Sequence, residues 1–301
     1  MPPALTALVL GAAAGGGFPQ WNCGCRLCTL ARSGDPSARP ATQASVAVSG
    51  DGQDWVVVGA SPDLRQQIQQ TPALWPRDGL RHSPIVGVVL LGGDVDAIAG
   101  LLVLRERQPF TIFAPQSLLD LLRVNPIFGV LDPAVVRQVP IRVNEPIQCG
   151  AGLTLTLLEM PGKVPLYLET QGATVAEPGP TYAARFDANG RRIAIAPACA
   201  DINQDVRRQL GDCDAVLFDG TLFRDDEMIA AGLGAKTGRR MGHVPVSGPG
   251  GTLERLGDLP VRKILLHINN SNPILLSDSP ERRQVEAAGF EVGFDGMEIS
   301  L

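Results

Sequence analysis

From Gly15 to Cys28 the sequence reads GGGFPQWNCGCRLC, so a glycine run leads directly into a cluster of three cysteines. Cys23 and Cys25 together with Cys28 have the spacing C-x-C-x-x-C, which brings three thiolates within reach of one point, as a tetrahedral zinc site requires. Disulfide pairing is the alternative, and the spacing disfavours it because such short loops strain the bridge. The stretch therefore predicts a zinc knot near the start of the chain.

Composition describes an ordinary globular protein. The 301 residues are 45% hydrophobic and 19% charged, and the net charge of −5 argues against a nucleic-acid or anionic-membrane surface. Residues 1–18 are small and apolar but carry no Lys or Arg, so we interpret them as a buried strand entering a glycine-rich turn rather than as a signal peptide. We expect no membrane insertion and a cytoplasmic location.

Short apolar runs alternate with helical patterns, which predicts one α/β domain spanning residues 1–301 and containing two sheets. The unbroken apolar run at residues 85–91 is typical of a strand covered on both faces. A helix is predicted to open at residues 61–63 and to run through residues 65–70, with Ser61 as its N-cap. A long loop is predicted over residues 172–180. Further strands are predicted at residues 5–10, 44–48, 55–59, 111–114, 153–158, 193–196, 215–218, 263–266 and 292–300.

Polar side chains follow three of these strands, where functional groups gather in α/β proteins. Asp94 and Asp96 follow the strand at residues 85–91, and they could share a metal if the turn brings their carboxylates together. The alternative is a solvated turn in which Asp96 caps the next helix. Asp219 and His267 each end or follow a strand, and each could be a functional group or an ordinary structural residue.

A glycine-rich loop carries the remaining candidates. His243 could act as an acid or base, or it could simply anchor the loop. Lys236, Arg239 and Arg240 precede it and could bind an anion, although a basic run is also typical of a solvated surface. The chain contains three histidines, so a catalytic metal would depend mostly on carboxylates.

Five segments together resemble the metallo-β-lactamase superfamily and, within it, the family of pyrroloquinoline quinone (PQQ) biosynthesis B proteins. The resemblance covers nearly the whole chain and implies a four-layer αβ/βα sandwich with its active site at one edge of two packed sheets. The segments are residues 10–28, 92–102, 217–228 (LFDGTLFRDDEM), 241–248 (MGHVPVSG) and 263–275 (KILLHINNSNPIL).

The resemblance also implies two kinds of metal site. It implies a structural zinc on the three cysteines, and Asn270 stands where related phosphodiesterases have the histidine that completes such a site. It further implies that Asp94, Asp96 and His267 hold an active-site metal. Ala97 replaces the last histidine of the superfamily's motif, and too few ligands remain for two-zinc hydrolysis.

The function implied is PQQ biosynthesis, with two versions left open. In the first, Fe²⁺ on Asp94, Asp96 and His267 supports hydroxylation of a Glu–Tyr-derived precursor, while Asp219 and His243 position or deprotonate the phenol. In the second, the chain is a non-catalytic carrier that binds PQQ or its precursor and assists transport to the periplasm. PQQ carries three carboxylates, so a carrier should show several cations in its cleft. Other PQQ biosynthesis proteins are expected as partners, and a homodimer is allowed.

Overall fold

Two seven-stranded sheets pack face to face in the computed structural model, which describes residues 5–162 and 180–301. The first sheet consists of β1 (Thr6–Gly11), β2 (Ser45–Ser49), β3 (Trp55–Val58), β4 (Ile85–Val89), β5 (Phe110–Ala114), β6 (Val136–Pro140) and β14 (Glu298–Ser300). The second consists of β7 (Pro146–Gly150), β8 (Leu153–Pro161), β9 (Pro180–Ala188), β10 (Arg191–Ala196), β11 (Ala215–Asp219), β12 (Arg262–Leu266) and β13 (Phe290–Val292). Their strand orders are β14-β1-β2-β3-β4-β5-β6 and β13-β12-β11-β10-β9-β8-β7.

Helices cover the outer face of each sheet, which completes four layers. Leu64 and Leu119 pack against the first sheet, whereas Val206 and Val285 pack against the second. The helices are α1 (Arg26–Arg32), α2 (Leu64–Gln70), α3 (Val95–Ile98), α4 (Gln116–Val124), α5 (Gln204–Gly211), α6 (Glu227–Ala230), α7 (Thr252–Leu256) and α8 (Pro280–Ala287).

Side-chain alternation along the strands explains the layering. In β11, Leu217 points into the core between the two sheets, while Val216 and Phe218 pack under the outer helices. Both faces of such a strand are buried, and this is why it reads as an unbroken apolar run in the sequence. This layering of two sheets between outer helices confirms the predicted αβ/βα sandwich.

Several local predictions differ from the structure. Helix α2 begins at Leu64 and is preceded by Asp63, while the Ser61 hydroxyl is buried and donates to Gln67 Oε1 at 3.0 Å instead of capping the helix. The predicted last strand at residues 292–300 is divided between β13 and β14. Strands β6, β7 and β9 were not predicted. The loop predicted at residues 172–180 falls almost wholly outside the described residues.

The strand ends bring the polar candidates to one edge of the sandwich. Strands β10, β11 and β12 run parallel, and the last residue of β11, Asp219, pairs with Leu266 at the end of β12. A backbone bridge from Ala13 to Ile268 joins this edge of the second sheet to the chain leaving β1. Within the described part of the chain, the helices are all too short or too polar to cross a membrane.

Candidate active site

Asp219 anchors one side of the site. Its side chain is fully buried, and its two oxygens accept four hydrogen bonds. Oδ1 accepts from the backbone N–H of Thr221 at 3.0 Å and from the Thr221 hydroxyl at 2.6 Å. Oδ2 accepts from the backbone N–H of Cys199 at 3.0 Å and lies 2.8 Å from His243 Nδ1. A buried carboxylate is tolerated here because these donors replace its hydration.

Two histidines stand side by side above Asp219. The rings of His243 and His267 stack with centroids 5.3 Å apart and an interplanar angle of 19°. The Thr221 hydroxyl lies 3.0 Å from His243 Nδ1 and 2.9 Å from His267 Nδ1. His267 has φ 58°, a left-handed conformation that turns the chain sharply after β12 and is uncommon for a residue with a Cβ.

Asp96 approaches His267 from the opposite sheet. Its Oδ2 lies 3.2 Å from His267 Nε2. Burial alone would lower the pKa of His267, but the hydrogen bond and charge of Asp96, together with the charges of Asp219 and Asp94, raise it above its usual value. Burial opposes a low pKa at Asp96, yet His267 holds the pKa of that carboxyl below its usual range. The two residues therefore stabilise each other's charged forms.

Asp94 lies close by without joining this contact. It precedes α3 and lines the same cavity as Asp96 and His267. In the described residues, Asp219, His243 and His267 form the one group of three histidine or carboxylate side chains whose ligand atoms all lie within 4.8 Å of one another. The structure thus brings Asp96, His267, Asp219 and His243 into one continuous cluster, and Asp94 lines the same cavity.

A cavity of about 510 Å³ opens onto this cluster. Its walls are mainly apolar and include Met228 and Met241, with Tyr182 from β9. Among residues 5–162 and 180–301, Lys236 is the one lysine or arginine that lines this cavity. Arg239 and Arg240 do not line the cavity, and both are exposed; Arg239 is directed to the carbonyls of residues 249 and 250.

The cysteine cluster forms a second site beside the first. The three sulfurs lie within 4.8 Å of one another, and Cys28 is fully buried. Nδ2 of Asn270 lies 3.2 Å from Cys23 Sγ, 3.9 Å from Cys25 Sγ and 3.4 Å from Cys28 Sγ. Asn270 follows His267 by three residues, so the turn after β12 supplies a side chain to both sites.

The thiols differ in their tendency to ionise. Burial raises the pKa of Cys28 to about 11. Burial also acts to raise the pKa of Cys23, but hydrogen bonds involving Cys25, Cys28 and Asn270 outweigh it and lower that pKa. Three thiolates packed this closely need a cation, because a bound metal deprotonates its thiol ligands and balances their charge.

Thr221 and a buried acidic network were missed in the sequence. Thr221 belongs to the Asp-Gly-Thr turn that singled out Asp219, but its hydroxyl gave no separate signal. Glu227 Oε1 accepts from Ser271 Oγ at 2.5 Å, and Ser271 accepts from Asn269 Nδ2 at 2.6 Å. A buried glutamate on a short helix has no periodic signature, so only the fold shows that it lies behind the cavity wall.

Fold and cleft together define a protein of the metallo-β-lactamase class, and the model of the Beta-lactamase superfamily domain matches residues 54–268. Coenzyme PQQ synthesis protein B of Gluconacetobacter diazotrophicus is 55% identical over 302 residues, covering 97% of this chain and 98% of that protein. The corresponding protein of Methylobacterium nodulans is 50% identical over 299 residues, covering 99% and 100%. The crystal structure of Zn²⁺-bound PqqB from Methylobacterium extorquens has a TM-score of 0.95 at 47% identity, covering 98% and 100%. The chain belongs to the family of coenzyme PQQ synthesis proteins B.

Proposed function

We propose that the chain is a metal-dependent hydroxylase of PQQ biosynthesis that acts on a Glu–Tyr-derived precursor in the cavity above His267. The observation that carries this proposal is the approach of Asp96 Oδ2 to within 3.2 Å of His267 Nε2, with Asp94 lining the same cavity. One imidazole and two carboxylates are a ligand set that suits non-haem iron and leaves positions open.

The separation of the two atoms fits a shared metal ion. Two ligand atoms that each lie about 2.1 Å from one ion, at angles between octahedral and tetrahedral, are about 3.0–3.4 Å apart. The observed 3.2 Å between Asp96 and His267 falls in this range. Asp96 and His267 would hold the ion directly, and Asp94 would complete the set. Ferrous iron in such a site supplies the dioxygen chemistry that hydroxylation needs.

His243 is placed to handle the proton of the substrate. Its Nδ1 donates to Asp219 Oδ2 at 2.8 Å, which leaves Nε2 without a hydrogen-bond partner among residues 5–162 and 180–301. A phenol hydroxyl in the cavity would transfer its proton to this Nε2, and the buried carboxylate of Asp219 would stabilise the resulting imidazolium. His243 would then act as the general base and Asp219 as its positioning residue.

Cavity charge favours the enzyme over the carrier. A carrier for a tricarboxylate needs several cations, and in the part of the chain that the structure describes Lys236 alone supplies one. Three aspartates face or approach the cavity instead, and they would repel such a ligand unless a cation is bound. An apolar wall with one lysine suits a tyrosine-derived ring that carries a carboxylate.

We further propose that Cys23, Cys25 and Cys28 hold a structural zinc with Asn270 as fourth ligand. The Zn²⁺ bound by PqqB of M. extorquens supports zinc as the metal. In a tetrahedral site an oxygen ligand lies about 3.6 Å from each sulfur. The distances from the Asn270 amide, from 3.2 to 3.9 Å, bracket this value. A half-turn of the amide exchanges Nδ2 for Oδ1 and supplies the oxygen.

Metal content and product formation test the proposal together. Protein purified anaerobically with iron is analysed for zinc and iron, then supplied with the precursor, oxygen and a chemical reductant. We expect about one zinc and one iron per chain, and a product heavier by one oxygen atom. His267→Ala should lose iron and activity but keep zinc, whereas Cys23→Ser with Cys25→Ser should lose zinc.

The carrier version gives a different result. It predicts zinc without iron, no product, and tight binding of PQQ that Lys236→Met weakens. Absence of iron from the wild-type chain under these conditions, with PQQ binding present, would therefore replace the hydroxylase with the carrier.

A further inference from the structure

Asn269 stands on the wall of the cavity, two residues after His267. Its side chain is partly exposed, and its backbone is held at both ends. Its N–H donates to the carbonyl of Thr221 at 3.0 Å, and its carbonyl accepts from the N–H of Asn272 at 2.9 Å. The backbone therefore gives this amide a fixed place in the cavity wall.

A chain of hydrogen bonds leads from the Asn269 amide to a buried carboxylate. Asn269 Nδ2 donates to Ser271 Oγ at 2.6 Å, and Ser271 Oγ donates to Glu227 Oε1 at 2.5 Å. The other carboxylate oxygen, Glu227 Oε2, accepts from the backbone N–H of Phe223 at 2.7 Å. Ser271 and Glu227 are both buried, so water does not replace these partners.

Proton counting determines which way the Asn269 amide faces. An ionised carboxylate can only accept, so the one proton of the Ser271 hydroxyl goes to Glu227. The Ser271 oxygen can then only accept from Asn269, and the amide atom opposite it must be Nδ2 rather than Oδ1.

Both protons of Asn269 Nδ2 have partners inside the protein. One is donated to Ser271 Oγ, and the other to Met228 Sδ at 3.2 Å. Within residues 5–162 and 180–301, Asn269 Oδ1 has no hydrogen-bond partner, and Asn269 lines the cavity. The amide therefore offers the cavity an acceptor and no donor.

We propose that Asn269 is a specificity-determining residue whose Oδ1 accepts a hydrogen bond from an ammonium group of the substrate, while Ser271 and Glu227 hold the amide in this orientation. The class of ligand is a phenol that carries an amine. This inference rests on the proposed function for the identity of the reaction, whereas recognition of the ammonium is tested by binding alone.

The proposed function leaves this role to Asn269. The metal would occupy Asp94, Asp96 and His267, and His243 would take the phenol proton. A precursor made from two amino acids carries ammonium and carboxylate groups besides its phenol. Carboxylates are acceptors and cannot bond to Asn269 Oδ1, so the ammonium is the group that pairs with it.

Three phenols of similar size test the proposal, with binding to the zinc-loaded protein measured by calorimetry at a pH above the pKa of Glu227. Tyramine carries an ammonium, 4-ethylphenol carries no charge, and 3-(4-hydroxyphenyl)propionate carries a carboxylate. We expect wild type to prefer tyramine to 4-ethylphenol, and Asn269→Leu to reduce that preference by about 10–100-fold, the effect of one hydrogen bond to a charged group. Asp94 and Asp96 attract the ammonium in both proteins, so the difference between the two proteins reports Asn269.

Glu227→Gln tests the orientation without altering Asn269. The Phe223 N–H requires an acceptor, so the glutamine keeps its oxygen there and turns its amide nitrogen toward Ser271. Ser271 then donates its proton to Asn269 Oδ1, and Nδ2 turns to the cavity. The variant should lose the preference for tyramine and bind 3-(4-hydroxyphenyl)propionate more tightly than wild type does.

The double variant Asn269→Leu with Glu227→Gln separates this effect from the loss of a charge. A charge effect of Glu227→Gln persists when Asn269 is absent, whereas an effect through the amide disappears. Zinc content and the thermal midpoint are measured for each variant, and Asn269→Ala replaces the leucine variant if that does not fold.

Three results would overturn the proposal: no tyramine binding by wild type, an unchanged preference for tyramine in Asn269→Leu, or equal effects of Glu227→Gln with and without Asn269. If tyramine recognition depends on Asn269 but no hydroxylated product forms from the precursor, the hydroxylase proposal alone fails.

Discussion

Asp96 and His267 lie 171 positions apart in the chain, yet their side chains meet at 3.2 Å across the edge of the two sheets. Asp96 follows a strand of the first sheet and His267 follows a strand of the second. Each raises the preference of the other for its charged form. The site exists only because the sheets pack face to face, so the affinity of the proposed metal site should report on that packing.

Replacing Asp96 by Asn should abolish tight binding of the active-site metal. The amide keeps the shape of the carboxylate but removes its charge, and the pKa of His267 should fall because its nearest stabilising anion is lost. We expect Co²⁺ affinity to fall by at least about 100-fold, more than for a residue that only orients a ligand. Asp94→Asn removes the other carboxylate of the proposed ligand set and should weaken Co²⁺ binding as well. Equal cobalt binding by Asp96→Asn and wild type would show that Asp96 is not a ligand.

Gly15 should be sensitive to a single added methyl group. A Cβ at Gly15 would lie 3.3 Å from Asp96 Oδ2, tighter than an ordinary contact, so alanine should displace the carboxylate. Gly24 is the control, because a Cβ there meets nothing within 4 Å. Gly15→Ala should weaken Co²⁺ binding while keeping the thermal midpoint close to that of Gly24→Ala. An unchanged cobalt affinity would mean that Asp96 can shift without cost.

The apolar runs explain how much of the fold could be predicted. The run at residues 85–91 is buried on both faces, so composition alone identifies β4. Strands β6 and β7 lie at sheet edges, and their exposed residues include Arg137 and Gln138 in β6, so no apolar run marks them. Ser61 looked like an N-cap because of its residue type, but burial gave its hydroxyl another partner in Gln67.

The site could be predicted as a set of residues but not as a geometry. Asp219 and His267 were identified because polar groups at strand ends meet at one edge of a sheet. The sequence could not assign Thr221, since a threonine hydroxyl acquires a role only from its neighbours. It also could not separate Lys236 from Arg239 and Arg240, because three basic residues in one loop face the cavity or the solvent according to the path of the backbone.

Cys28→Ser should destabilise the fold through loss of zinc. Cys28 is buried against Phe18 and Leu276 and would hold the metal that joins the N-terminal turn to the end of β12. Loss of a structural metal belongs to the largest class of single-residue effects, about 4 kcal/mol or more. Cys149→Ser is the control, because Cys149 is also buried and its polar atom keeps a partner in the carbonyl of Leu153. Urea unfolding with zinc analysis measures both, and equal losses for the two variants would argue against a structural metal at Cys28.

Glu227→Gln should make stability less dependent on pH. Burial raises the pKa of Glu227 and outweighs its hydrogen bonds from Ser271 and the backbone of Phe223. The unfolded chain therefore releases this proton at a lower pH than the folded chain. The stability that the protonated form contributes is fully present below the ordinary pKa of a glutamate and is lost as the pH rises through the raised value.

Glutamine can keep a donor toward Ser271 and an acceptor toward Phe223 without titrating. Urea midpoints measured across this interval should fall with pH more steeply in wild type than in Glu227→Gln, while the exposed Glu254→Gln should follow wild type. Parallel curves for all three proteins would show that Glu227 does not change its ionisation on unfolding.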